Sequence, residues 1–513
     1  MTLAQSIIIA TIVAYLGAML LIGLYFSRKG SADSSDEFYI GGRSLGPIVT
    51  AMSAEASDMS SYLLMGLPGL AYISGVAECG WTIIGLAGGT YLNFLLVAKL
   101  LRRYSAEINA ITIPEYFSKR YGDTKHTISL ISALIIIIFF IPYTASGFKA
   151  VGTLFNSLFG VEYHAAMIAG AIVIVTYTAL GGFMAVSTTD LIQSIFMTIA
   201  LVIIVFFGIE KAGGMNNIVT NAQELPGYLN LFQGYNWADK SAGTYGFLTI
   251  VSTLAWGLGY FGMPHILLRF MAIRHEDDVK TSRRIAAVWC VLSMAIAMFI
   301  GIIGYSVSKA GVIPMLETSS DSETVIIQLA NVMSQYGFFF ALIAGVIMAG
   351  ILAATMSTAD SQLLAASSSV SQDLVQDFGG KKLDNETNMK YARLTVFGIA
   401  LVALILAWNP NSSVFRVVSF AWAGFGATFG PAMLISLFWR RSTRQGCIAG
   451  LVAGGIMIFV WKFGLAPMGG VFGIYELLPA FIINLIVNVC VSLATPEPGA
   501  GILAVYDKVH TKK

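Results

Sequence analysis

Apolar stretches of about 20 residues, each long enough to cross roughly 30 Å of hydrocarbon, recur from one end of this chain to the other. A chain with that pattern has the bilayer as its solvent, so its backbone must satisfy its own hydrogen bonds, which points to helices throughout. The low share of charged residues, 11% against 56% hydrophobic, argues the same way. Reading apolar runs between polar, Gly or Pro punctuation gives thirteen expected spans, at about 5–26, 46–72, 79–101, 128–155, 162–181, 187–210, 244–270, 282–308, 326–365, 390–408, 413–438, 444–465 and 470–495. The expectation is a single all-α polytopic membrane domain over 1–513. The first run is too long for a signal h-region and lacks a small-residue cleavage site before Ser27-Arg28-Lys29, so it is expected to stay as span one.

The positions of the charges orient the chain. With the N-terminus outside, the loops on the opposite side hold 24 of the 30 lysines and arginines, including Lys29, Arg43, Lys381, Lys382, Lys512 and Lys513. By the positive-inside rule this predicts an odd number of spans and a cytoplasmic C-terminus in the plasma (inner) membrane. A net charge of +2 gives no sign of a nucleic-acid partner, and nothing demands an obligatory protein partner beyond the lipid bilayer. The four cysteines are far apart and read as free.

Two spans are poor continuous helices. Span two carries Glu55 and Asp58 among the hydroxyls of Ser53, Ser57, Ser60 and Ser61, and span seven packs three glycines and a proline into Trp256–Pro264. Interrupted segments at matching places in two halves point to a transporter site, because unwound backbone survives at membrane depth only where it lines a cavity or coordinates something. Spans two to six (about 46–210) and seven to eleven (about 244–438) each open with such a segment, which predicts an inverted five-plus-five repeat with peripheral helices at about 5–26, 444–465 and 470–495.

The chemistry gathers on the same spans. Asp58 and Asp190 are costly at membrane depth without a partner or a cation. Span nine places Ala354, Ser357, Thr358 and Ser361 on one helical face, and hydroxyls and carbonyls suit a hard cation such as sodium. Its small residues at every fourth position, Ala341, Gly345, Ala349, Ala353, Ser357 and Ser361, would let a neighbouring backbone approach closely. Trp256, Tyr260 and Tyr143 stand at or beside helix breaks and could cover a small zwitterion. No nucleotide-binding loop or zinc-protease motif is present, so neither an enzyme nor an ATP-driven pump is expected, and a downhill ion is the remaining energy source.

Gly41-Gly-Arg-Ser-Leu-Gly46, Ser57-Asp-Met-Ser60, Gly181-Gly-Phe-Met-Ala-Val-Ser-Thr-Thr-Asp190 and Met356-Ser-Thr358 resemble the sodium:solute symporters along nearly the whole chain. Leu63–Gly69, Trp256–His265 and Ala421–Gly426 carry the resemblance to that family's bacterial sodium/proline branch. The resemblance implies thirteen helices around a leucine-transporter-like inverted repeat, and sodium-coupled uptake of L-proline with no cofactor besides the coupling ion. It implies a sodium site from the carbonyls of Ala56, Met59 and Ala354 with the hydroxyls of Ser357 and Thr358. Asp58 and Arg43 then serve sodium coupling, and Ser60, Tyr143, Trp256, Tyr260 and Pro264 bind substrate. Where this sequence departs from the branch, Asp360 adds a carboxylate beside a possible second sodium site of Asp190, Ser357, Asp360 and Ser361. The alternative is that Asp360 pairs with Arg269 or Lys390. A different cargo, such as pantothenate, a monocarboxylate or another amino acid, remains the alternative to proline; a membrane sensor or an ion channel are the alternatives of another class.

Overall fold

A computed structural model describes residues 2–28, 35–380 and 383–511. Lys29, Lys381, Lys382, Lys512 and Lys513 of the basic loops lie outside the described residues. The chain is all-helical apart from one short hairpin, Gln233–Asn236 paired antiparallel with Ser241–Thr244, in the loop between spans six and seven. Among the described residues ten helices are long and apolar enough to cross a membrane, and the bent pair Phe247–Gly262 and Pro264–Ala272 makes an eleventh.

The expected thirteen is therefore not reached by long continuous helices. Span two is interrupted: Pro47–Ser61 gives way at Ser60 to a wide turn, Tyr62–Gly66, before Leu67–Ser74. Spans five and six are one helix, Tyr163–Lys211, kinked at Gly182 with φ 63°, a backbone conformation that glycine adopts without strain. Its first arm is apolar for only Tyr163–Thr176. The expected span nine also divides. Val325–Ser334 is a separate helix, and Gly337 at φ 113° starts a new one, Phe338–Ser368.

The small residues of span nine work as packing sites. A side chain at Gly345 would meet Thr11 of span one (Leu3–Arg28), and one at Gly350 would meet Ala200 and the Phe196 carbonyl of span six. Spans three and seven touch backbone to backbone, since a Cβ on Gly257 would run into the Gly85 carbonyl, and one on Gly259 into the Trp422 indole. Gly257→Ala is thus expected to overpack this contact by about 1–3 kcal/mol or more, lowering the yield of monodisperse purified protein while Gly88→Ala, which faces open space, does not.

Beyond the last span, Leu477–Ala494, the helix Ala500–Thr511 folds back. Arg440 grips Asp507 through Nε and Nη2 at 2.8 and 2.9 Å and holds that carboxyl below its usual range.

Candidate functional site

The break in span two presents backbone toward the middle of span nine. Ser60 has φ 47° and ψ −167°, a strained conformation for a residue with a side chain. Its hydroxyl accepts the Tyr62 N–H at 3.1 Å. One turn earlier the Ala56 carbonyl accepts from Ser357 Oγ at 2.8 Å. The same hydroxyl reaches the Ala354 carbonyl at 3.2 Å, which Thr358 Oγ1 also approaches at 3.2 Å. The fold therefore brings together Ala56, Ala354, Ser357 and Thr358, all fully or nearly buried. Met59 belongs to the same broken turn, and its carbonyl receives the Tyr62 N–H.

Asp58 faces the other way, toward span seven. Its carboxylate accepts from the Tyr260 hydroxyl at 2.5 Å, while its backbone carbonyl accepts from the Tyr143 hydroxyl at 3.0 Å. Span seven is bent 48° where the tight turn Ala255–Gly262 meets the helix Pro264–Ala272. Pro264 opens that helix, where its missing N–H costs nothing and its fixed φ suits the first turn.

Trp256 anchors an aromatic layer that periodicity could not assemble. Its ring lies 5.9 Å from Tyr62 at 22°, 5.1 Å from Tyr475 at 20° and 5.5 Å from Phe415 at 35°. Trp422 donates its indole N–H to the Trp256 carbonyl at 2.8 Å and meets Tyr260 edge-on at 5.1 Å. Phe415 also stacks on Tyr62 and lines a 560 Å³ cavity on the hairpin side of the protein. Trp422 lies in the quoted Ala421–Gly426 motif, but nothing local in the sequence singles out Tyr62, Phe415 or Tyr475.

Asp190 meets an arginine. Arg269 Nη2 lies 3.1 Å from Asp190 Oδ2, and both side chains are almost fully buried. Ser53 donates to the same carboxylate oxygen at 2.6 Å and accepts from Arg269 Nε at 3.0 Å; Arg269 Nη2 also donates to Ser361 Oγ at 2.5 Å. One guanidinium thus ties spans two, six, seven and nine. Asp360 sits beside it, with Oδ2 lacking a hydrogen-bond partner among the described residues. Lys390 is elsewhere, 3.4 Å from Glu386. Of the four residues of the possible second cation site, Asp190, Asp360 and Ser361 gather at Arg269, while the Ser357 hydroxyl turns to Ala56.

These broken spans and the buried polar seam between them match a known fold family. A model of the sodium:solute symporter family covers residues 38–454. The chain belongs to the sodium:solute symporter family. It is a sodium-coupled transporter rather than an enzyme, and a multi-pass membrane protein. A sodium/proline symporter of Staphylococcus aureus is 39% identical over 499 residues, covering 96% of this chain and 94% of the relative. That of strain USA300 / TCH1516 is 38% identical over 506 residues, covering 97% and 95%. Among solved structures, a substrate-bound, outward-open Na+-coupled sialic acid symporter superposes with a TM-score of 0.77 at 19% identity, covering 96% of this chain and 99% of that one. A nucleobase-cation-symport-1 family transporter in a closed conformation gives 0.54 at 14%, covering 92% and 98%. The symporter thus has the leucine-transporter type of fold.

Arg43 of the symporter lies apart from the Ala56–Ser357 cluster. It clamps the ends of spans three and seven, donating to the Ser105 hydroxyl and carbonyl at 3.1 Å each, the Met271 carbonyl at 2.7 Å and the Ala110 carbonyl at 2.6 Å.

Proposed function

We propose that the symporter carries L-proline into the cell with sodium, by alternating access of repeats 46–210 and 244–438. The observation that carries this reading is the convergence of the Ala56 and Ala354 carbonyls with the hydroxyls of Ser357 and Thr358, at the break of span two. Sodium takes oxygen ligands of this kind. In the proposal it draws on these four groups and the Met59 carbonyl, and the nearby Asp58 carboxylate stabilises its charge. Binding there orders the broken segment, which raises affinity for the cargo; linkage requires the cargo to raise sodium affinity equally.

The cargo occupies the space around Ser60, Tyr143, Trp256, Tyr260 and Pro264. Its apolar ring packs on the aromatic layer, and its carboxylate is drawn to the N-terminus of the Pro264–Ala272 helix. The names of the Staphylococcus aureus relatives support proline as that cargo. Arg269 already supplies a positive charge beside Asp190 and Ser361, which supports one coupling sodium over two. The distribution of basic residues supports an outside N-terminus and a cytoplasmic C-terminus.

Labelled proline uptake in proteoliposomes under separate sodium and proton gradients tests the whole reading, and accumulation driven by protons alone would overturn it. A Hill coefficient for sodium clearly above one would reinstate the second cation site. Ser357→Ala combined with Thr358→Val removes two ligand oxygens and is expected to raise the sodium concentration for half-maximal uptake by roughly 10- to 100-fold, since each lost ligand to a charged group is worth about 1.5–3 kcal/mol.

A further inference from the structure

The 560 Å³ cavity on the hairpin side lies beyond the aromatic layer, with Phe415 in its wall, and its size falls in the roughly 300–1,000 Å³ range of small-molecule sites. Four charged groups of its lining bear on its chemistry. Glu323 is satisfied within the fold: it accepts from the Ser413 hydroxyl at 2.7 Å and from the Val414 and Phe415 N–H groups at 3.1 Å each, at the start of the Val414–Phe438 helix. Glu317 accepts from the Trp237 indole at 3.1 Å. Glu78 and Arg416 line the same cavity, yet neither side chain has a hydrogen-bond or ion-pair partner among the described residues. Arg416 moreover stands in the first turn of its helix, the end where the macrodipole disfavours a cation. No neighbouring group within the fold accounts for these two opposite charges.

We propose that Glu78 and Arg416 form a docking site for a zwitterionic amino acid, Arg416 taking the carboxylate and Glu78 the ammonium, which the cargo occupies before it passes Phe415 to the aromatic layer. The inference rests on the amino-acid reading above. Opposite charges in a cavity mouth concentrate a zwitterion and orient it, while a simple anion or cation meets one attraction and one repulsion.

The test uses the full chain in proteoliposomes and initial rates of labelled L-proline uptake. Arg416→Gln and Glu78→Gln are each expected to raise KM about tenfold with kcat within about twofold of the unaltered protein, the split expected when binding is lost without a change in the later steps. Arg416→Lys, which keeps the charge, restores KM to within about threefold. Glu78→Gln also relieves the discrimination against N-acetyl-L-proline, which lacks the ammonium, as a competitor; a merely structural role would not move that readout. KM within about twofold of the unaltered protein in both glutamine variants, or loss of kcat alone, overturns the docking site. If Arg416→Gln does not fold, Glu78→Gln and its competitor profile decide. Proline uptake by the unaltered protein tests the cargo itself, so failure of that reading is seen separately from failure of the docking site.

Discussion

Asp58→Asn is expected to raise the sodium concentration needed for half-maximal proline uptake by more than tenfold. The substitution keeps the side chain's size and its contact with the Tyr260 hydroxyl, and removes only the charge. Two unit charges on the order of 8 Å apart interact by about 2 kcal/mol at an effective dielectric constant near 20, roughly thirtyfold in affinity. Because the carboxylate points to span seven while the Ala56 carbonyl of the same turn points to span nine, its action on sodium is exerted through the field and the shape of the break. Sodium titrations of uptake at fixed proline check this, and an unchanged sodium dependence would remove Asp58 from the coupling. Tyr260→Phe, which deletes only the donor, should show a smaller rise.

The second large effect is on stability. Arg269→Met leaves Asp190 buried with its charge partner gone, a change that typically costs about 3–5 kcal/mol. The Ser53 and Ser361 hydroxyls and the His265 carbonyl lose their donor at the same time. The purified variant should show a clearly lower midpoint of thermal unfolding in detergent. Adding Asp190→Asn should recover part of that loss, because the pair couples by about 0.5–3 kcal/mol and the double change leaves no unbalanced carboxylate at position 190. A wild-type midpoint for Arg269→Met would show that the network is not structural.

Much of this was legible in the chain itself. The two interrupted spans announced themselves through polar residues in one and Gly-Pro punctuation in the other, because local backbone preference decides where a helix cannot run smoothly. The hydroxyl face of span nine followed from helical period alone, and the fold places Ser357 and Thr358 opposite span two as that face required. The count of spans was harder to read: Gly182 bends one long helix without stopping it, and Gly337 stops one that hydropathy runs through.

Residue types and spacings determined that this chain lives in a bilayer, breaks two of its helices and supplies hard-cation ligands from a third. Tertiary structure alone decided which charge meets which and which rings stack. Asp190 finds Arg269, 79 residues away, and Trp256 finds Phe415 and Tyr475 from elements far along the chain. A helix's own period sets which face a side chain occupies, but the partner on that face depends on how separate helices pack, and no local signal in sequence encodes that.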